Sequence, residues 1–158
     1  MESFTHGDQV VVLLATAFVV PLVVGMHYEA MRLLAQVARR MLRLRRLTIL
    51  IVILGLIIAH LLEIVVFALA YIVLVAGGYG GLTGLPGSSE PGASDYFYFS
   101  AVVYSTVGFG DLAPLGPMWL MAGVEALVGL MLVAWSAAFA YLQMHKHWRD
   151  AFLEGEGM

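Results

Sequence analysis

Three long apolar stretches, Gln9 to Met26, Leu47 to Ala76 and Pro117 to Met144, alternate with two segments of quite different patterning. A helix gains about 1.5 Å per residue, so each stretch is long enough to cross a hydrocarbon core of about 30 Å. The second and third have length to spare for tilt or for projection beyond the membrane. Residues 27–46, "HYEAMRLLAQVARRMLRLRR", repeat at a helical period of about 100° per residue. Arg32, Gln36, Arg39, Arg40, Arg43 and Arg46 share one face, while Leu33, Leu34, Val37, Met41 and Leu44 cover the other, with only Arg45 out of place. That pattern predicts a basic amphipathic helix lying at the membrane interface, whose arginines suit anionic lipid headgroups.

The second connecting segment divides in two. Residues 77–94, "GGYGGLTGLPGSSEPGAS", are rich in Gly, Pro and Ser and predict a flexible exposed loop. Asp95 to Thr106 is mostly apolar but far too short to span. Ser94 is suited to cap a helix, and Asp95 to its positive first turn. A re-entrant helix over 95–106 is the natural reading, and the chain is then an all-α membrane protein with three transmembrane helices.

Charge orients these elements. All 8 Lys and Arg residues fall either between the first two spans or after the third, in the short tail 145–158. The first residues and the stretch 77–116 carry none. The excess of basic residues on cytoplasmic loops therefore predicts the amino terminus outside, the arginine-rich connector inside, 77–116 outside and the carboxyl tail inside a cell membrane. The acidic Glu2 and Asp8 argue against a cleaved signal peptide. Composition agrees: 61% of the residues are hydrophobic and only 12% charged, far from the balance of a soluble domain. With no cysteine there is no disulfide or thiolate chemistry, and a net charge of -3 gives no reason to expect a nucleic-acid partner.

At the end of the re-entrant helix lies "YSTVGFGDLAP", Tyr104 to Pro114. Non-helical backbone is tolerated at membrane depth only where protein buries it or where it lines a water-filled cavity. Gly108 and Gly110 give access to conformations closed to other residues. Such a stretch can turn its carbonyls toward one axis, where they replace an ion's hydration shell. Ser105 to Asp111, "STVGFGD", closely resembles the potassium-channel selectivity-filter signature T-T-V-G-Y-G-D. The surrounding order of outer span, loop, short helix, filter and inner span resembles the single-pore-loop domain of bacterial two-transmembrane potassium channels across 47–144, with one helix added in front. The resemblance implies outer helix 47–76, extracellular loop 77–94, pore helix 95–106, filter 106–111 and inner helix 117–144. It also implies K+ at the carbonyls of Thr106, Val107, Gly108 and Phe109, with Gly110 completing the filter and Tyr104, Ser105 and Asp111 supporting its mouth. One loop cannot encircle an ion, so a closed homotetramer is expected. Phe109 stands where tyrosine is commoner and removes a hydroxyl that could brace the filter. A weakly selective cation channel is therefore the nearest alternative to a potassium channel, followed by a non-conducting subunit or sensor that keeps the pore fold.

The third span carries a stripe at three- and four-residue steps: Ala122, Glu125, Gly129, Leu132, Ser136, Phe139 and Gln143. It holds most of the polar and small residues of that span. Leu132, Ser136, Phe139 and Gln143 are thus candidates to line a cavity, and Gly129 is a candidate gating hinge or close-packing site. Glu63 and Glu125 are carboxylates within spans, with His60 one turn before Glu63; such groups turn toward protein or water. Counted from the outer helix ends they lie about 20 Å and about 12 Å deep. We expect Glu125 to bond groups behind the filter, Tyr104 or Ser105, and His60 with Glu63 to form a second contact. The His60-x-x-Glu63 spacing is on its own a weak metal signal, and no catalytic spacing recommends an intramembrane enzyme.

Overall fold

The computed structural model describes residues 4–40, 45–84 and 90–155, with side chains for all of these except 45, 46 and 146–155. Its elements, in chain order, are α1 (His6–Arg40), α2 (Arg45–Ala76), β1 (Gly81–Thr83), α3 (Ala93–Tyr104), β2 (Ala113–Leu115) and α4 (Met118–Gly155). Three of the four helices are long and apolar enough to cross a membrane, as expected.

α1 packs against α2 and α4, and α3 is wedged between α2 and α4. Each helix gives one stripe to this interior. On α1 it is Val12, Thr16, Val19, Val23, His27 and Met31; on α2, Ala59, Glu63, Phe67 and Tyr71; on α4, Met121, Glu125, Val128, Leu132 and Ser136. Those steps of three and four residues are the period of a helix face. The remaining faces of the long helices are apolar and exposed, among them Leu14, Phe18, Leu54, Ile58, Leu127 and Leu130, as lipid or a neighbouring subunit requires.

Four boundaries differ from the sequence reading. The basic segment after residue 26 is not a separate helix, because α1 runs unbroken to Arg40. Met31 and Ala38 in its carboxyl-terminal part are buried in a cluster with Val52 and Leu56, so the segment is held by packing against α2. The loop 77–94 contains β1, which pairs antiparallel with β2 in the register Gly81↔Leu115, Leu82↔Pro114 and Thr83↔Ala113. α3 starts at Ala93 with Gly92 as its cap, not Ser94; the Gly92 amide donates to the Asp95 carboxylate at 2.8 Å. Finally, α4 continues past residue 144 into the expected tail, as far as Gly155.

The ring of Phe4, just before α1, lies against Gly116, which follows β2. The amino-terminal end of α1 and the ribbon beside the loop after α3 are therefore at the same end of the molecule.

Candidate functional site: the pore helix and its following loop

α3 buries Tyr96, Phe99, Ser100 and Tyr104, a stripe that turns toward α2 and α4. The helix ends at Ser105, whose hydroxyl donates back to the Ala101 carbonyl at 2.6 Å. The chain then stays close: the Thr106 amide reaches the Val103 carbonyl at 2.9 Å and the Gly108 amide reaches that of Val102 at 3.4 Å.

From here the backbone alternates. Thr106, Gly108 and Gly110 have φ of 59°, 61° and 78°, while Val107 and Phe109 between them stay negative. A β-branched residue with positive φ is uncommon and costs of order 1–3 kcal/mol, so Thr106 is held there by its surroundings. A regular strand sends successive carbonyls to opposite sides; a change of φ sign at every residue removes that alternation and lets them share a side. Val107 and Phe109 are 55% and 69% exposed, although both are apolar.

At the far end of the loop, the Tyr98 hydroxyl donates to the Asp111 carboxylate at 2.7 Å, tying that end to the first half of α3. That bond holds the Asp111 carboxyl below its ordinary value near 3.8, against a smaller upward push from desolvation. Gly84, with φ of 102°, has no room for a Cβ because the Asp111 carbonyl occupies that space. The segment after β1 thus backs the mouth of the loop.

Behind α3 are two groups of buried polar residues. In one, Glu125 accepts from Tyr71 and from Ser100, each at 2.5 Å. In the other, Glu63 meets His27 Nδ1 at 2.8 Å and His60 Nδ1 at 3.2 Å, and accepts the Tyr104 hydroxyl. Tyr104 also lies 2.8 Å from His60 Nδ1, and the Ser136 hydroxyl bridges the two remaining ring nitrogens, His60 Nε2 at 3.0 Å and His27 Nε2 at 3.2 Å. His27, Glu63 and Glu125 are each at most 1% exposed.

The expected partners of Glu125 are therefore corrected. Tyr104 belongs to Glu63, and Ser105 turns back on its own helix. Ser100 and Tyr104 are one turn apart on the same face of α3, so the shallower carboxylate takes the first and the deeper one the second. His60 and Glu63 do meet, as expected. His27 was not anticipated. Its signal was faint: it continues the stripe Val12, Thr16, Val19, Val23, but apolar residues on every other face of α1 hid that phase.

The α4 stripe is corrected as well. Leu132 and Ser136 are 3% and 7% exposed within one chain, facing the helices of that chain, so neither lines a cavity between subunits. Phe139 is half-buried against the cluster around Met31 and Val52, and Gln143 is half-buried too. At Gly129 a Cβ would overlap the Tyr104 carbonyl, so this glycine lets α4 approach the end of α3 and α4 runs through it as continuous helix. Of the arginines, Arg32 pairs on the surface with Glu29 at 2.9 Å, and Arg39 and Arg40 are exposed at the end of α1. Arg43 and the side chain of Arg46 lie outside the described residues.

The family described as "Ion channel" matches residues 46–143, more than half of the chain and the whole of α3 and its loop. An uncharacterized membrane protein, YdjJ, of Bacillus subtilis is 43% identical over 54 residues, which are 33% of this chain and 16% of that protein. The potassium voltage-gated channel protein shk-1 of Caenorhabditis elegans is 34% identical over 68 residues, 42% of this chain and 13% of that protein. Each of these relatives is thus matched over less than a fifth of its own length. No solved structure matches.

Proposed function

The chain belongs to the ion-channel family matched across residues 46–143, as a multi-pass membrane protein and not an enzyme, and from that premise we propose that it is a potassium-selective channel. Ions pass through a filter formed by the carbonyls of Thr106, Val107, Gly108 and Phe109 and by Gly110, with Asp111 at the mouth. The observation that carries this reading is the alternation of φ along Thr106 to Gly110, centred on the sequence "TVGFG". Neither a helix nor a strand repeats that way, and carbonyls that share a side can replace the hydration shell of a bare cation. A relative whose name specifies potassium points the same way.

The pore is a homotetramer in this reading. The exposed Val107 and Phe109 need cover, and the pore helix of a neighbouring subunit supplies it. Closed cyclic symmetry then places four loops around one axis. The outer face carries the filter mouth and the amino terminus, while the basic end of α1 lies in the cytoplasm near anionic headgroups.

The test is potassium flux from proteoliposomes driven by a potassium gradient, with wild type and Gly110→Ala compared. Wild type is expected to conduct. Gly110→Ala is expected to conduct little, because its φ of 78° is strained for alanine even though a Cβ there meets nothing within 4 Å. Absence of flux from folded wild-type oligomer would favour the non-conducting subunit instead.

A further inference from the structure

We propose that His27, His60 and Glu63 form a binding site for a divalent transition metal of the zinc class, with Tyr104 as the fourth ligand. The proposal does not depend on which ion the pore conducts. The ligand atoms of the two histidines and the carboxylate all lie within 4.8 Å of one another, among residues that are buried or nearly so. They come from different helices, His27 from α1 and the pair from α2, and Tyr104 adds an oxygen from α3.

The spacing suits a small four-coordinate ion. Bonds of about 2.0–2.2 Å in a tetrahedron place neighbouring ligand atoms about 3.3 Å apart. Here His60 Nδ1 is 3.2 Å from Glu63 Oε2, His27 Nδ1 is 2.8 Å from the other carboxylate oxygen, Oε1, and Tyr104 is 2.8 Å from His60 Nδ1. The Tyr104 hydroxyl, hydrogen-bonded to Glu63, must move furthest to admit the ion, while the other contacts open by a few tenths of an ångström. Two imidazoles with a carboxylate and a phenol are a nitrogen and oxygen set for zinc, cobalt or nickel, not for calcium or magnesium, which take oxygens alone.

Ser136 supplies the independent argument. Both Nδ1 atoms face the carboxylate, so both Nε2 atoms face one hydroxyl, at 3.2 Å and 3.0 Å. If both Nδ1 atoms carry hydrogen, two bare Nε2 atoms compete for the single hydrogen of Ser136. If a cation takes both Nδ1 lone pairs, each Nε2 carries hydrogen instead. The two rings then donate into the two lone pairs of Ser136. Metal-bound histidines are commonly oriented by such a partner at their other nitrogen. His60 is 18% exposed, whereas Glu63 and His27 are closed off within the chain. A proton is the competing occupant: one imidazolium between Glu63 and Ser136 also satisfies the ring.

The experiment uses the full chain in detergent with His6, His145 and His147 replaced by Gln, so that the remaining histidines of the sequence do not compete. Zinc is titrated and the bound metal counted, and X-ray absorption at the zinc edge reads the ligands. One zinc per chain with two imidazole ligands is expected. Binding is expected to be lost in His27→Gln and to weaken about 10–100-fold in Ser136→Ala, which keeps every ligand. Fewer than two imidazoles on the zinc overturns the proposal whether or not the variants fold. So does a pocket that takes only a proton and no metal, or undiminished binding in folded His27→Gln.

Discussion

The loop Thr106 to Gly110 and the back of the helix that precedes it differ in almost every respect. The loop exposes its apolar side chains, alternates the sign of φ from Thr106 to Gly110, and draws two of its backbone bonds from α3. The back of α3 is finished: Ser100 and Tyr104 are bonded to carboxylates that are themselves held by Tyr71, His27 and His60. One chain completes the support, and in the proposed tetramer its neighbours complete the filter. Substitutions behind α3 should therefore cost stability first, and substitutions in the loop should cost conduction first.

The largest break is expected at Gly129→Val. Its Cβ meets the Tyr104 carbonyl, and branching worsens the overlap, so a loss at or beyond the top of the usual overpacking range, about 3 kcal/mol or more, is expected. The apparent melting temperature in detergent should fall and flux should disappear with the fold. Tyr104→Phe is next. It takes a hydroxyl from a buried carboxylate and costs about 1.5–3 kcal/mol, read by thermal or denaturant unfolding. The channels that remain folded should keep their ion preference, since the filter sequence is untouched. Gly110→Ala is the converse: the oligomer should persist and flux should fall.

Tyr98→Phe is expected to have the smallest effect on stability, because both partners of its bond are exposed. Its signature is pH dependence. The bond lowers the folded-state value of Asp111 below 3.8, so its contribution is present above that value and is lost as pH falls through the lowered one. Wild type and Tyr98→Phe should differ near neutral pH and converge in strong acid.

Much of this arrangement was legible in the sequence. Long apolar runs marked both ends of α2 and the start of α4 to within two residues, since only a helix satisfies its own backbone across lipid. The segment Asp95 to Thr106 announced α3 by being apolar and too short to span. What stayed hidden concerns facing. In a membrane helix lipid and protein are both apolar, so periodicity does not tell the inner face from the outer one. From Leu132 onward the polar stripe of α4 thus reads as facing a cavity, whereas Leu132 and Ser136 face the helices of their own chain. His27 was lost in the same way, and Ser105 was paired with Glu125 because its hydrogen bond to its own helix left no trace in the sequence. The ribbon of β1 and β2 escaped because glycine and proline mark turns more strongly than three-residue strands.

The central claim is tested most directly by the reversal potential of wild-type protein in a planar bilayer with potassium on one side and sodium on the other. A reversal far from zero, of the sign set by potassium flow, is expected and should follow the potassium gradient when it is inverted. A reversal near zero would contradict potassium selectivity and leave a cation channel that does not distinguish the two.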